Sequence, residues 1–261
     1  MKLMIDIGNT NAVLGLFIDD KLLYNWRMSS TGRTEDECWM VVDSFFTHKN
    51  LKSENITGVS ISSVVPELTR VYSRMIEKYL QIKPLIIGPD LNLGMKILYQ
   101  DQYAVGADRI CDAVAGKAKY GTPLIILDFG TATTFDCIDE QGNYLGGVIA
   151  PGIESAATVL HHKAAKLPKI ELHFPSKVIG DNTEESMQSG IMFGSVQMIE
   201  GIVELISKEL GKNPKVIATG GLAGLISEHT TIIDFVDDNL NLEGIYLIYK
   251  KNSESDGKIY V

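Results

Sequence analysis

The sequence predicts an α/β protein of two similar lobes, and three observations carry that prediction. The phrase Leu3-Met4-Ile5-Asp6-Ile7-Gly8-Asn9-Thr10 near the start returns near the middle as Ile125-Ile126-Leu127-Asp128-Phe129-Gly130-Thr131. The offset is constant: Asp6 and Asp128 lie 122 positions apart, and so do Gly8 and Gly130. Each copy continues through a second apolar run to a polar turn, Asp19-Asp20-Lys21 or Asp139-Glu140-Gln141-Gly142, and strand and helix patterns alternate behind it. Hairpins followed by strand–helix alternation, twice over, describe a duplicated α/β unit.

In the first half the apolar patterns predict strands near residues 2–7, 12–18 and 21–28. A polar loop through Gly32 follows, and Thr34 caps a helix opening with Glu35-Asp36-Glu37, acids that suit the positive end of the helix dipole. Its apolar face uses Trp39, Val42, Phe45 and Phe46 at helical spacing. Residues 56–65 read as a buried strand ending at Ser62-Ser63. Pro66 opens a helix with Leu68, Val71, Met75, Ile76 and Tyr79 on one side. A short strand over 84–87 and an irregular stretch over 88–105 lead to a helix from Gly106 to Lys119, closed by Gly121.

The second half repeats the strand plan from Leu124, and Gly146-Gly147 and Pro151-Gly152 break the chain at the end of its third strand. Asn182 and Glu185 stand at capping-box spacing before a helix reaching about Leu210. Strands over 216–219 and 231–236 and a helix over 242–249 complete the pattern. Domain boundaries of 1–121 and 122–261 follow.

The chain has 261 residues and a formal net charge of −9. Charge of that sign disfavours non-specific nucleic-acid binding, which depends on phosphate neutralisation. Hydrophobic residues make up 45%, enough for a substantial core. The three cysteines, Cys38, Cys111 and Cys137, form no C-x-x-C pair, which suits a reducing, cytoplasmic setting. No apolar run is expected to reach the roughly 20 residues of a membrane span, so no membrane partner is expected.

An acid followed by a glycine turn and small hydroxyl or amide residues suits a phosphate cradle. Backbone N–H groups in tight turns donate to phosphate oxygens, and a nearby carboxylate can hold Mg²⁺ directly or through water. Asp6, Gly8, Asn9, Thr10 and Asn11 meet this description, as do Asp128, Gly130, Thr131 and Thr133. Two such hairpins facing each other would form an interlobe nucleotide cleft. The chain has no G-x-x-x-x-G-K-[ST] and no G-x-G-x-x-G after a strand, which disfavours P-loop and Rossmann enzymes. His161-His162, beside Lys163 and Lys166, reads as a solvated turn, and the lysines after Tyr249 read as a solvated terminus.

Four phrases in one order carry a resemblance: Asp6-Ile7-Gly8-Asn9-Thr10, Gly106-Ala107-Asp108-Arg109, Asp128-Phe129-Gly130-Thr131-Ala132-Thr133-Thr134 and Gly180-Asp181-Asn182-Thr183. The chain resembles the type III pantothenate kinases, within the superfamily of acetate kinase, sugar kinases and actin. The resemblance implies a duplicated actin-like fold with ribonuclease-H-like lobes. It implies ATP-dependent phosphorylation of pantothenate to 4'-phosphopantothenate, the first step of coenzyme A biosynthesis, by a homodimer. Asp6, Ile7, Gly8, Asn9, Thr10, Asn11, Ala12 and Val13 would then bind ATP with Mg²⁺, helped by Thr131. Asp128 would hold a monovalent cation, K⁺ or NH₄⁺. Tyr99, Gly106, Ala107, Asp108, Arg109 and Thr183 would bind pantothenate, and Asp108 would be the general base. Gln102 stands where the family usually has Pro.

Each assignment has a structural counterpart. Asp108 could cap its helix and Arg109 make a surface ion pair. Asp128 could hold the Gly130-Thr131 turn by hydrogen bonds, and Thr183 could be an ordinary first-turn residue. The guanidinium of Arg109 suits either a carboxylate or a phosphate. A sugar-type kinase of the same superfamily and a non-catalytic nucleotide-binding regulator are the alternative functions.

Overall fold

The computed structural model describes residues 1–253. In chain order the elements are β1 (Lys2–Ile7), β2 (Asn11–Ile18), β3 (Lys21–Ser29), α1 (Glu35–His48), β4 (Gly58–Ser63), α2 (Pro66–Leu80), β5 (Leu85–Ile86), α3 (Ala107–Tyr120), β6 (Leu124–Phe129), β7 (Ala132–Ile138), β8 (Tyr144–Pro151), α4 (Ile153–Lys163), α5 (Thr183–Leu210), β9 (Lys215–Gly220), α6 (Ala223–Ser227), β10 (Phe235–Val236) and α7 (Leu240–Ser253). They form two compact units: residues 1–118 together with the segment from Asn239 onward, and residues 119–238.

The sheet of the first unit runs β3-β2-β1-β4-β5 and that of the second β8-β7-β6-β9-β10. In each, the first three strands are an antiparallel meander, and the last two pair in parallel beyond the first. The duplication read from two phrases therefore extends to every strand. It extends to register as well: Asp6 pairs with Ser62 across the parallel β1–β4 ladder, and Asp128 with Thr219 across β6–β9.

Burial explains why these strands lie where they do. In β1, Leu3, Met4, Ile5 and Ile7 are wholly buried, the near-continuous apolar run of a strand covered on both faces. One face packs on α1 and α2, where Cys38, Val42, Phe46, Tyr72, Met75 and Ile76 join the core. Trp26 stacks on Phe45 with centroids 5.5 Å apart. Thr34 caps α1 in a reciprocal capping box with Glu37. In the second unit, Ile191, Met192, Val196, Ile199 and Val203 of α5 pack against the sheet residues Ile125, Leu127, Phe135 and Val216.

Several elements differ from the expectations. β4 covers Gly58–Ser63 rather than 56–65, and β10 only Phe235–Val236 rather than 231–236. β8 continues through Gly146-Gly147, with a bulge at Leu145 and a positive φ at Gly146. α4 is a helix where the sequence suggested a solvated turn, and His161 and His162 occupy its last turn, with His161 Nδ1 2.9 Å from the Leu167 carbonyl. The C-terminal segment, grouped by sequence with residues 122–238, packs on the first sheet: α7 meets β1, β2 and β4. Tyr246 stacks on Phe17 at 4.3 Å, and Gly244 lies so close to α3 that a Cβ there would collide with the backbone of Cys111. Lys250 pairs with Asp20 at 2.6 Å, so the lysines after Tyr249 begin inside a helix, and the rest of that stretch lies outside the described residues. Finally, α5 is long and apolar enough by length and composition to cross a membrane, contrary to the expectation of no such run. Its apolarity serves a different purpose on one side, which forms the second core.

Candidate active site

The first hairpin turn lies between β1 and β2. Gly8 N–H donates to the Asn11 carbonyl at 2.9 Å, closing a tight turn whose tip residues Asn9 and Thr10 are exposed. Ile7 and Ala12 are buried anchors on either side, and Val13 pairs with Asp6 across the hairpin. Asp6 is held from the neighbouring strand: Ser62 Oγ donates to Asp6 Oδ1 at 3.0 Å. Cys111, on α3, is wholly buried, and the charges of Asp6, Asp112 and Asp108 add to the effect of burial on its thiol. Burial drives the Cys111 thiol far above its ordinary range.

Asp108 stands in the first turn of α3, which starts where Ile110 N–H bonds to the Gly106 carbonyl. Its Oδ1 accepts the Arg109 N–H at 2.8 Å, satisfying one of the free donors of the helix's first turn. It is also mostly buried, and burial raises its pKa more than Arg109 and the backbone N–H groups lower it. A Cβ at Gly106 would strike Asp108 Oδ1, so a larger residue there would displace that carboxylate. Asn241 of α7 donates to the Asp108 carbonyl at 3.1 Å and fixes the helix start from the other side. Beside this turn is a cavity of about 420 Å³ lined by Ser63, Gly88, Pro89, Tyr103, Gly106 and Ala107 among others. Its size falls in the range of small-molecule sites. Tyr103, which the sequence did not single out, reaches this wall and donates to Asp90 at 2.7 Å. Tyr99 is partly exposed in the preceding loop. Gln102 opens a single 3₁₀ turn, Gln102–Ala104, capped by Asp101.

The second unit holds the counterpart hairpin. Gly130 N–H donates to the Ala132 carbonyl at 3.1 Å. The carboxylate of Asp128 lies between two glycines: Gly130 faces Oδ2, and a Cβ at Gly220, whose φ is +91°, would collide with Oδ1 and with the Phe129 backbone. Gly152 lies equally close to the carbonyls of Gly130 and Thr131. The carboxylate of Asp128 is an oxygen donor of the kind that a hard cation takes. Thr183 is the exposed first residue of α5, beside the N-cap Asn182, which accepts the Glu185 N–H at 2.9 Å. A larger cavity, about 720 Å³, lies between α4 and residues 169–172, and none of the expected site residues lines it.

Ser62 and Ser63 were legible only as the end of a strand. The pairing of Ser62 with Asp6 on another strand depends on the parallel register. Tyr103 carried no signal beyond its place in an irregular stretch.

A sequence profile described as type III pantothenate kinase matches residues 2–205. Among solved structures, a candidate Baf family transcriptional activator from Campylobacter jejuni is similar at a TM-score of 0.62 and 20% identity, covering 97% of this chain and 99% of that one. A candidate 2-dehydro-3-deoxygalactonokinase from Sinorhizobium meliloti gives 0.60 at 10% identity, covering 100% and 98%. The activator of 2-hydroxyisocaproyl-CoA dehydratase from Clostridium difficile, with bound ADPNP, gives 0.52 at 14%, covering 100% and 98%. At these identities the likeness is one of fold. The profile spans most of the chain and takes in both acidic hairpins and α3: the chain belongs to the type III pantothenate kinase family.

Proposed function

We propose that this kinase transfers the γ-phosphoryl group of ATP to the primary alcohol of pantothenate, giving 4'-phosphopantothenate. Beyond the family, the observation that carries the reading is Asp108: a largely covered carboxylate, its pKa raised by burial, in the first turn of α3, where the adjoining Gly106 and Ala107, though not Asp108 itself, line a cavity of small-molecule size. An alcohol is a weak nucleophile at neutral pH, and an oriented carboxylate can accept its proton as the new P–O bond forms and the bond to the β-phosphate oxygen breaks. A carboxylate made more basic by burial is better suited to this than an exposed one.

On this reading residues 6–13 and Thr131 bind ATP. Asp6, oriented by Ser62, would face Mg²⁺, and the glycine-walled carboxylate of Asp128 would hold K⁺ or NH₄⁺. These cations supply charge neutralisation at the polyphosphate. Tyr99, Gly106, Ala107, Arg109 and Thr183 contact pantothenate. A homodimer in the cytoplasm completes the reading. The outer face of α5 supports the dimer: Gly190, Gly194 and Gly201 have nothing within 4 Å of an added Cβ, leaving room for close approach of another backbone.

The deciding experiment is a coupled assay of ADP release with ATP, Mg²⁺ and a panel of alcohols, with and without K⁺. Turnover specific to pantothenate and dependent on K⁺ or NH₄⁺ is expected. Turnover with a sugar alone would replace the substrate assignment, and ATP consumption without any acceptor would favour a regulator.

A further inference from the structure

The two hairpin turns share a feature that the acids and glycines do not explain. In each, a serine just beyond the third strand donates its hydroxyl to a carbonyl of the turn. Ser30, the first residue after β3, donates from Oγ to the Gly8 carbonyl at 2.7 Å and from N–H to the Thr10 carbonyl at 2.9 Å. Ser155, in the first turn of α4 and just after β8, donates from Oγ to the Thr131 carbonyl at 2.7 Å. The second turn is further held by Gly152, which packs directly on the Gly130 and Thr131 carbonyls.

The physical consequence follows from the planarity of the peptide group. The C=O of one residue and the N–H of the next point in opposite directions across one rigid plane. A hydroxyl that holds the Gly8 carbonyl therefore fixes the direction of the Asn9 N–H. The Ser155 hydroxyl likewise fixes the plane of the Thr131–Ala132 peptide. A carbonyl oxygen turned towards a polyphosphate would repel it, whereas an N–H turned towards it is a ready donor. Glycine turns are the segments most able to flip such a plane, because Gly lacks the steric limits of other residues. A turn built on Gly8 or Gly130 thus needs an outside restraint to keep its dipoles in one sense.

We propose that Ser30 and Ser155 are positioning residues that set the peptide planes of the two hairpin turns for an anionic polyphosphate, without touching the nucleotide. The inference rests on the kinase reading above and adds residues to it. Both serines come from elements that follow the third strand of their unit, but they do not share the 122-residue offset of the acids and they hold different carbonyls of the two turns, so each turn has its own restraint.

The test uses the full-length protein and a non-hydrolysable ATP analogue. Ser30→Ala and Ser155→Ala are each expected to weaken analogue affinity and raise the KM for ATP by about three- to tenfold, the range of one net hydrogen bond. kcat and the KM for pantothenate are expected to stay within about twofold, well inside that range. Ser30→Thr, which keeps the hydroxyl, is expected to recover most of the affinity. Amide hydrogen exchange of peptides covering 8–11 and 130–133 is expected to speed up in the matching alanine variant only. Alanine variants with unchanged affinity, or a Ser30→Thr as weak as Ser30→Ala, would overturn the proposal. So would a lower melting temperature with unchanged exchange at the turns. A wild-type protein that binds no analogue would instead overturn the kinase reading, and the exchange arm would still decide whether the serines set the turns.

Discussion

At Asp108, burial acts on catalysis and on stability in opposite senses. The carboxyl has a folded pKa above its unfolded value of about 3.9. Such a group binds its proton more tightly when folded, so its stabilising contribution is fully present below the unfolded pKa and is lost as pH rises through the folded one. At neutral pH the buried charge costs stability. Asp108→Asn is therefore expected to lower kcat by about 10²–10⁴-fold, the usual contribution of a general base, while melting at a higher temperature than wild type at pH 7. The melting difference is expected to shrink as pH falls towards about 4. An equal or lower melting temperature at pH 7 would contradict the burial argument, and unimpaired turnover would remove the base. The wild-type rate should fall on the acid side through a pKa above the ordinary carboxylate value. The cysteines give a second residue-scale expectation. All three are buried, and burial raises the pKa of Cys38 and Cys111. Native protein should show almost no reaction with a disulfide-exchange reagent over minutes, and denatured protein should titrate three thiols. Rapid native labelling would mean that the α3 neighbourhood opens.

Among the elements, α3 and α7 meet closely, at Gly244 against the backbone of Cys111. Backbone cannot move aside as a side-chain tip can, so Gly244→Ala is expected to cost at least the roughly 1–3 kcal/mol of ordinary overpacking. Urea unfolding reads this directly, and a midpoint equal to wild type would show that the helices are not so close. Helix α1 gives a milder case: Thr34→Ala removes the reciprocal capping box and is expected to cost about 1 kcal/mol. The cap was legible in the sequence because it is local, a Thr three residues before a Glu. The α7 contact was not, because nothing in the residues 242–249 names the surface they will cover. In β6 and β9, Gly220→Ala would force an L-residue to φ +91° and press on Asp128. If Asp128 holds the monovalent cation, the K⁺ concentration for half-activation should rise in this variant, with KM for pantothenate little changed.

For the whole molecule, the first unit is completed by chain from both ends. Leu242, Ile245 and Ile248 of α7 are buried, and α7 lies on β1 and β4. A protein ending before Asn239 would expose that face of the sheet, and it is expected to be insoluble or to lose cooperative unfolding. A well-folded, soluble truncation would show that α7 is dispensable. The open glycine face of α5 makes its prediction at the same scale. If α5 carries the proposed dimer contact, Gly194→Leu is expected to shift the species seen by sedimentation at micromolar protein towards monomer while leaving far-ultraviolet circular dichroism unchanged. A dimer that survives the substitution would place the interface elsewhere.

By itself the sequence determined what is local or repeated: the strand meander, the acid and glycine of each turn, the helix caps and the duplication, since each depends on residues within a few positions or on a constant offset of 122. It also carried the phrases that mark the family. Only the tertiary structure decided that Ser62 faces Asp6, that Ser30 and Ser155 hold the turn carbonyls, that Tyr103 walls the cavity beside Asp108, and that the last helix covers the first sheet. Those are contacts between distant segments, fixed by sheet register and by which apolar face finds which partner. Many sequence patterns are compatible with each of them, and burial in the folded chain selects one.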